Sequence, residues 1–219
     1  MVDTRARTDV MALPDRISPA YWTFTAVTWP IVRWWGRLEV TGLEHLPARG
    51  AAIVVANHDS PWDPVVIAAA GRRRRRIHAL AKASLWRHRP VGWFLDKMGQ
   101  IPVERGSGDA AAMTVATGCL TGGGCVGIFP EGTISRGKQL RARSGAGRLV
   151  QAVPQARIVC AAITGTVDMA RFPRRPRLRV TFFAPASQPE PEESAQDLSA
   201  RLTAEIRTRA PVVAAPSRS

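Results

Sequence analysis

Asn57-His58-Asp59-Ser60-Pro61-Trp62-Asp63 places an imidazole five positions before a carboxylate, directly after the apolar run Ala51-Ala52-Ile53-Val54-Val55-Ala56. A buried strand that breaks into a loop at this point would present both groups at its carboxyl end, where open sheets carry their chemistry. Histidine titrates near neutrality, so His58 can accept a proton at physiological pH. A carboxylate beside it can fix its tautomer and stabilise the imidazolium that forms. No G-x-S-x-G nucleophile motif accompanies the pair, which points to a substrate hydroxyl as the proton source. The same residues admit a plainer reading. Asp63 before Pro64 is an ordinary helix start, and Ser60-x-x-Asp63 matches a capping box.

Three further segments follow in order: Gly99-Gln100-Ile101-Pro102-Val103-Glu104-Arg105, Phe129-Pro130-Glu131-Gly132-Thr133-Ile134-Ser135-Arg136 and Ile158-Val159-Cys160-Ala161-Ala162-Ile163-Thr164-Gly165. Together with the first, they resemble the four blocks of the glycerolipid acyltransferase family, which includes lysophosphatidic acid acyltransferases. The resemblance spans roughly Arg37 to Pro185. It departs at Cys160, where the family usually has proline; Cys behaves there as a small hydrophobe and removes no proton-transfer group.

The resemblance implies roles residue by residue. His58 is the general base that deprotonates an acceptor hydroxyl, and Asp63 orients it. The oxygen then attacks an acyl thioester directly, and coenzyme A or acyl carrier protein leaves. Arg105 fits a phosphate contact, since a guanidinium offers a planar fork of donors. Glu131, Gly132 and Thr133 are expected to shape the acceptor site, with Glu131 holding Arg105 or the loop. Asn57, Gly99, Ile101, Arg136 and Lys82 complete the candidate substrate-binding set, and Lys138 adds positive charge. The implied acceptor is first of all lysophosphatidic acid, with another lysophospholipid, glycerol phosphate or a glycolipid as alternatives, and a catalytically silent membrane-binding homologue as the rival of another class. No metal or resident cofactor is implied.

The elements that must position these residues alternate. Strands are expected at 38–41, 51–56, 77–80, 101–103, 126–129, 158–163 and 178–183. Helices are expected at 64–70, 86–98, 110–120, 145–153 and 194–208. This pattern predicts an α/β fold: a single domain with a central, mostly parallel or mixed sheet flanked by helices. Gly122-Gly123-Gly124 reads as a helix stop rather than a phosphate cradle. The domain is expected over 37–209, after a loose 1–16 and a membrane-associating 17–36, and before a disordered tail at 210–219.

Composition bounds the partners. The chain has 219 residues and a formal net charge of +14, enough length for one substantial core. Arg72 to Arg76 is an uninterrupted basic run, suited first to anionic lipid, with nucleic acid or plain solvation as alternatives. No recognisable motif interleaves aromatic and basic residues, so nucleic acid is not expected as a partner. Cys119, Cys125 and Cys160 lack C-x-x-C spacing, which argues for a reducing compartment without a disulfide framework or zinc site. Ile17 to Val32 carries no charge, and this region with the residues just after it holds four of the seven tryptophans. It is short for a spanning helix, which needs roughly 20 residues. A helix lying in the membrane interface is expected, with a segment folded over the domain's own core as the alternative. The expected location is the cytoplasmic face of the cell membrane, peripheral or monotopic.

Overall fold

A computed structural model describes residues 19–103, 110–170 and 175–213. Arg105 and most of both termini lie outside these residues, as do the expectations that rest on them.

The apolar runs form a seven-stranded sheet ordered β1-β7-β6-β2-β5-β3-β4. The strands are β1 Glu39–Thr41, β2 Ala52–Ala56, β3 His78–Lys82, β4 Ile101–Val103, β5 Cys125–Ile128, β6 Arg157–Thr164 and β7 Arg179–Phe183. All neighbours pair parallel except β6 and β7. A parallel sheet is covered on both faces, which explains why β2 and β5 are buried at every position.

Alternation along β2 divides the core. Ile53 and Val55 join Val126, Ile128, Cys160 and Ala162 under the helices α4 Ala110–Thr121, α5 Gly145–Ala152 and α6 Ala195–Arg209. Ala52, Val54 and Ala56 join Val159, Ala161 and Ile163 on the opposite face, under α2 Asp63–Gly71. Cys160 is a core residue, its thiol pushed up to about 12, first of all by burial. Cys119 and Cys125 are buried as well.

Two expectations require correction. The helix expected over 86–98 is split into a 3-10 turn, Ala83–Arg87, and α3, Arg89–Lys97. His88 between them is extended. Pro90 cannot donate the N–H that a continuing helix needs, and belongs in a first turn. The Arg72–Arg76 run is only partly solvated, with Arg73 and Arg74 exposed. Arg75 and Arg76 are buried. Arg75 donates to the carbonyls of Pro47, Gly50 and Gly123, and Arg76 to that of Met98. Arg74 donates to the Leu46 carbonyl, and Arg72 lies over the Trp29 ring at 4.1 Å. These guanidiniums fasten loops to one another.

The uncharged N-terminal stretch forms α1, Pro19–Pro30, continued by a π-helical turn, Ile31–Trp35. Tyr21 and Val32 are fully buried, Tyr21 beside Ala68 and Met98. Trp22 and Trp34 point outward and are 63% and 70% exposed. The segment thus covers the domain's own core with one side and exposes aromatic surface on the other. No described helix is long and apolar enough to cross a membrane.

Candidate active site

β2, β5 and β3 are parallel neighbours, so their carboxyl ends open on one edge of the sheet. A cavity of about 280 Å³ lies there. His58 lines it beyond β2, Phe129, Pro130 and Gly132 beyond β5, and Leu80, Ala81 and Lys82 along β3. Arg143 and Arg148 contribute cationic side chains from before and within α5. Val103, Met113 and Ile128 supply apolar wall.

His58 Nδ1 lies 3.1 Å from Asp63 Oδ2, and its ring stacks on Phe129 with centroids 4.5 Å apart. Asp63 is fully buried at the first position of α2, with Trp62 rather than Asp63 as the N-cap residue. Its Oδ2 also accepts the backbone N–H groups of Asp59 and Ser60, each at 2.7 Å. Holding the loop before α2 and orienting the histidine are therefore carried by one oxygen. A proton on Nδ1, donated to Asp63, leaves Nε2 as the basic nitrogen.

The loop after β5 is tied to the His58 loop at several points. Ser135 donates its backbone N–H to the His58 carbonyl at 2.8 Å and its hydroxyl to Asp59. Gly132 has φ +66°, and an added Cβ would come within 2.7 Å of Arg143 Nε, so the turn requires glycine there.

Glu131 is buried and accepts Arg207 Nε at 2.9 Å. Among the described residues its side-chain partner is thus an arginine of α6, while the expected Arg105 lies outside them. Arg207 also grips both oxygens of Asp59, Nη1 to Oδ2 at 2.8 Å and Nη2 to Oδ1 at 2.9 Å. Burial works against an ionised Asp59, but the bonds from Arg207 and Ser135 and the Arg207 charge hold its carboxyl below the ordinary range. For Glu131, burial prevails over Arg207 and pushes the carboxyl up.

The other candidates fall in different places. Lys82 lines the cavity. Asn57 is buried, giving both amide hydrogens to Asp59 and the Ile163 carbonyl and accepting the Ile163 N–H, so it clamps β2 to β6. Gly99, at φ +62°, packs against Arg76 and His78, and Ile101 is wholly in the core. Thr133 and Arg136 are exposed and absent from the cavity wall. Arg143, Arg148, Asp59, Ser135 and Arg207 were not singled out by the motifs. Only the closeness of Asp59 and Ser135 to motif residues could have flagged any of them.

Residues 37–164 match the protein family described as Acyltransferase. The chain is 32% identical over 127 residues to the 1-acyl-sn-glycerol-3-phosphate acyltransferase of Bacillus subtilis, covering 55% of this chain and 63% of that protein. It is 37% identical over 107 residues to the enzyme of the same name from Borreliella burgdorferi, covering 48% and 42%. The chain thus spans less than two thirds of the length of either relative. The crystal structure of the 1-acyl-sn-glycerophosphate (LPA) acyltransferase PlsC from Thermotoga maritima superposes with a TM-score of 0.69 at 21% identity, covering 95% of this chain and 82% of that one.

Proposed function

Because the chain belongs to the Acyltransferase family, we propose that it moves a fatty acyl group from acyl-coenzyme A or acyl carrier protein to the hydroxyl of lysophosphatidic acid, giving phosphatidic acid. The observation that carries this reading is the His58–Asp63 pair at the mouth of a cavity with cationic and apolar walls. His58 Nε2 takes the proton of the acceptor hydroxyl as its oxygen attacks the thioester carbonyl. The tetrahedral intermediate then collapses, the C–S bond breaks, and the thiolate leaves with the proton returned by the imidazolium. Asp63, held by two backbone N–H groups, keeps the ring in the tautomer this requires and offsets the charge it acquires.

Lys82, Arg143 and Arg148 suit the acceptor phosphate, because they are the cations on the cavity wall among the described residues. Leu80, Val103, Met113, Ile128 and Phe129 suit an acyl chain. The enzyme works as a peripheral membrane protein, with Trp22, Val27, Ile31 and Trp34 directed into the lipid interface. The names of the bacterial relatives support lysophosphatidic acid as the acceptor.

The test is thiol release from acyl thioesters with lysophosphatidic acid, other lysolipids or glycerol phosphate, comparing wild type with His58→Ala. Release that requires lysophosphatidic acid and falls by at least ~100-fold in the variant is expected. Release with glycerol phosphate alone would reassign the acceptor. Release unaffected by His58→Ala would remove the general-base role.

A further inference from the structure

We propose that Arg207, near the end of α6, is a positioning residue for the acyl transfer, clamping the His58 loop to the Glu131 loop. The inference rests on the reading of the site given above. Its basis is the complete use of one guanidinium. Nε donates to Glu131 at 2.9 Å; Nη1 donates to Asp59 Oδ2 at 2.8 Å and to the Ala210 carbonyl at 3.1 Å; Nη2 donates to Asp59 Oδ1 at 2.9 Å and to Glu131. These account for all five N–H groups, so Arg207 has none left for a substrate. The side chains of Arg207, Asp59 and Glu131 are almost wholly shielded from solvent.

The placement of the two carboxylates turns this clamp toward function. Asp59 is the residue next to His58 in the chain, and its backbone N–H meets the same Asp63 oxygen as the imidazole. Glu131 adjoins Gly132, whose turn lines the same cavity as His58. Asp59 and Glu131 would repel each other if the cation between them were removed. The loops they belong to would then part, and the distance between the base and the cavity wall would change. Shifts of this size cost much in rate, since a displacement of about 1 Å can lower turnover ~100-fold.

Charge supplies an independent readout. The charged groups around His58 are Asp63 from α2, Asp59 from its own loop, Glu131 from the loop after β5, and Lys82, Arg143 and Arg148 on the cavity wall. Arg207 compensates two of the three carboxylates. Replacing it with a neutral residue favours imidazolium, so the acid limb of the kcat/KM profile moves to higher pH. Replacing it with lysine keeps the charge but not the fork, so turnover falls while the limb stays in place.

The experiment measures kcat, KM and the pH profile for full-length wild type, His58→Ala, Arg207→Gln and Arg207→Lys, with thermal unfolding to count folded molecules. The expected result for Arg207→Gln is a fall in kcat of about 100-fold and an acid limb raised by about one pH unit. Arg207→Lys is expected to lose ~10-fold in kcat with an unmoved limb. Should Arg207→Gln fail to fold, Arg207→Lys decides: wild-type kcat in that variant overturns the clamp. An active wild type, an inactive His58→Ala and a folded Arg207→Gln with unchanged kcat and pH limb would overturn this inference alone. A wild type inactive on every donor and acceptor pair would overturn the acyl-transfer reading, and the clamp with it.

Discussion

One oxygen of Asp63 serves His58 and two backbone N–H groups at once. Asp63→Asn can keep an oxygen on His58 and on both loop N–H groups, but loses the negative charge that offsets the imidazolium. Turnover per folded molecule should fall at least ~100-fold, with a melting temperature near that of wild type; a large loss of stability with unchanged turnover would leave Asp63 only its hold on the loop. His78 makes a separate prediction. It is buried in β3, donates Nδ1–H to the Gly99 carbonyl at 2.8 Å, and is lowered to about 4, first by burial and then by Arg76 and Arg75. The unfolded chain binds this proton near pH 6.5 and the folded one only near 4, so folding loses stability as pH falls across that window. The loss amounts to roughly 3 kcal/mol. Denaturant unfolding of His78→Gln should show a flatter dependence between pH 6.5 and 4 than wild type. The histidine and carboxylate of the site were legible because they lie on one loop. Arg207 was not, since 148 residues separate it from Asp59 and no local pattern joins them.

The strands could be read from their apolar runs, because burial on both sheet faces leaves a signal that needs no partner to be seen. The arginine run shows the opposite case. Whether Arg75 meets water or protein depends on the carbonyls of Pro47, Gly50 and Gly123, which reach it only through the fold. Arg75→Ala removes at least three hydrogen bonds, to loops before β2 and β5, and should cost about 3 kcal/mol or more. Exposed Arg73→Ala should lie within ~0.5 kcal/mol of wild type. Chemical denaturation of the pair measures the contrast, and equal costs would return the whole run to the surface.

Across the whole molecule, the N-terminal helix bears out the core-covering alternative on one side and leaves aromatic surface on the other. It is apolar on all sides, so composition alone did not show that Tyr21 and Val32 turn inward while Trp22 and Trp34 turn outward. Deleting the segment would strip the core as well as the aromatic surface. Trp22→Ser with Trp34→Ser is the cleaner change. It should weaken binding to anionic liposomes at least ~10-fold while leaving thermal stability nearly intact, as co-sedimentation and melting would report. Undiminished sedimentation would remove the interfacial role.

The order of the chain gives the α6 clamp a temporal meaning. During synthesis every motif residue leaves the ribosome well before Arg207, and β1 waits for β7, 140 residues later, to pair. A nascent chain therefore carries His58, its neighbouring carboxylates and its cavity-lining cations before the residue that bonds the two loops together. Completion of α6 brings the compensating cation to Asp59 and Glu131, so the two loops lock only once α6 has followed β7 out of the ribosome.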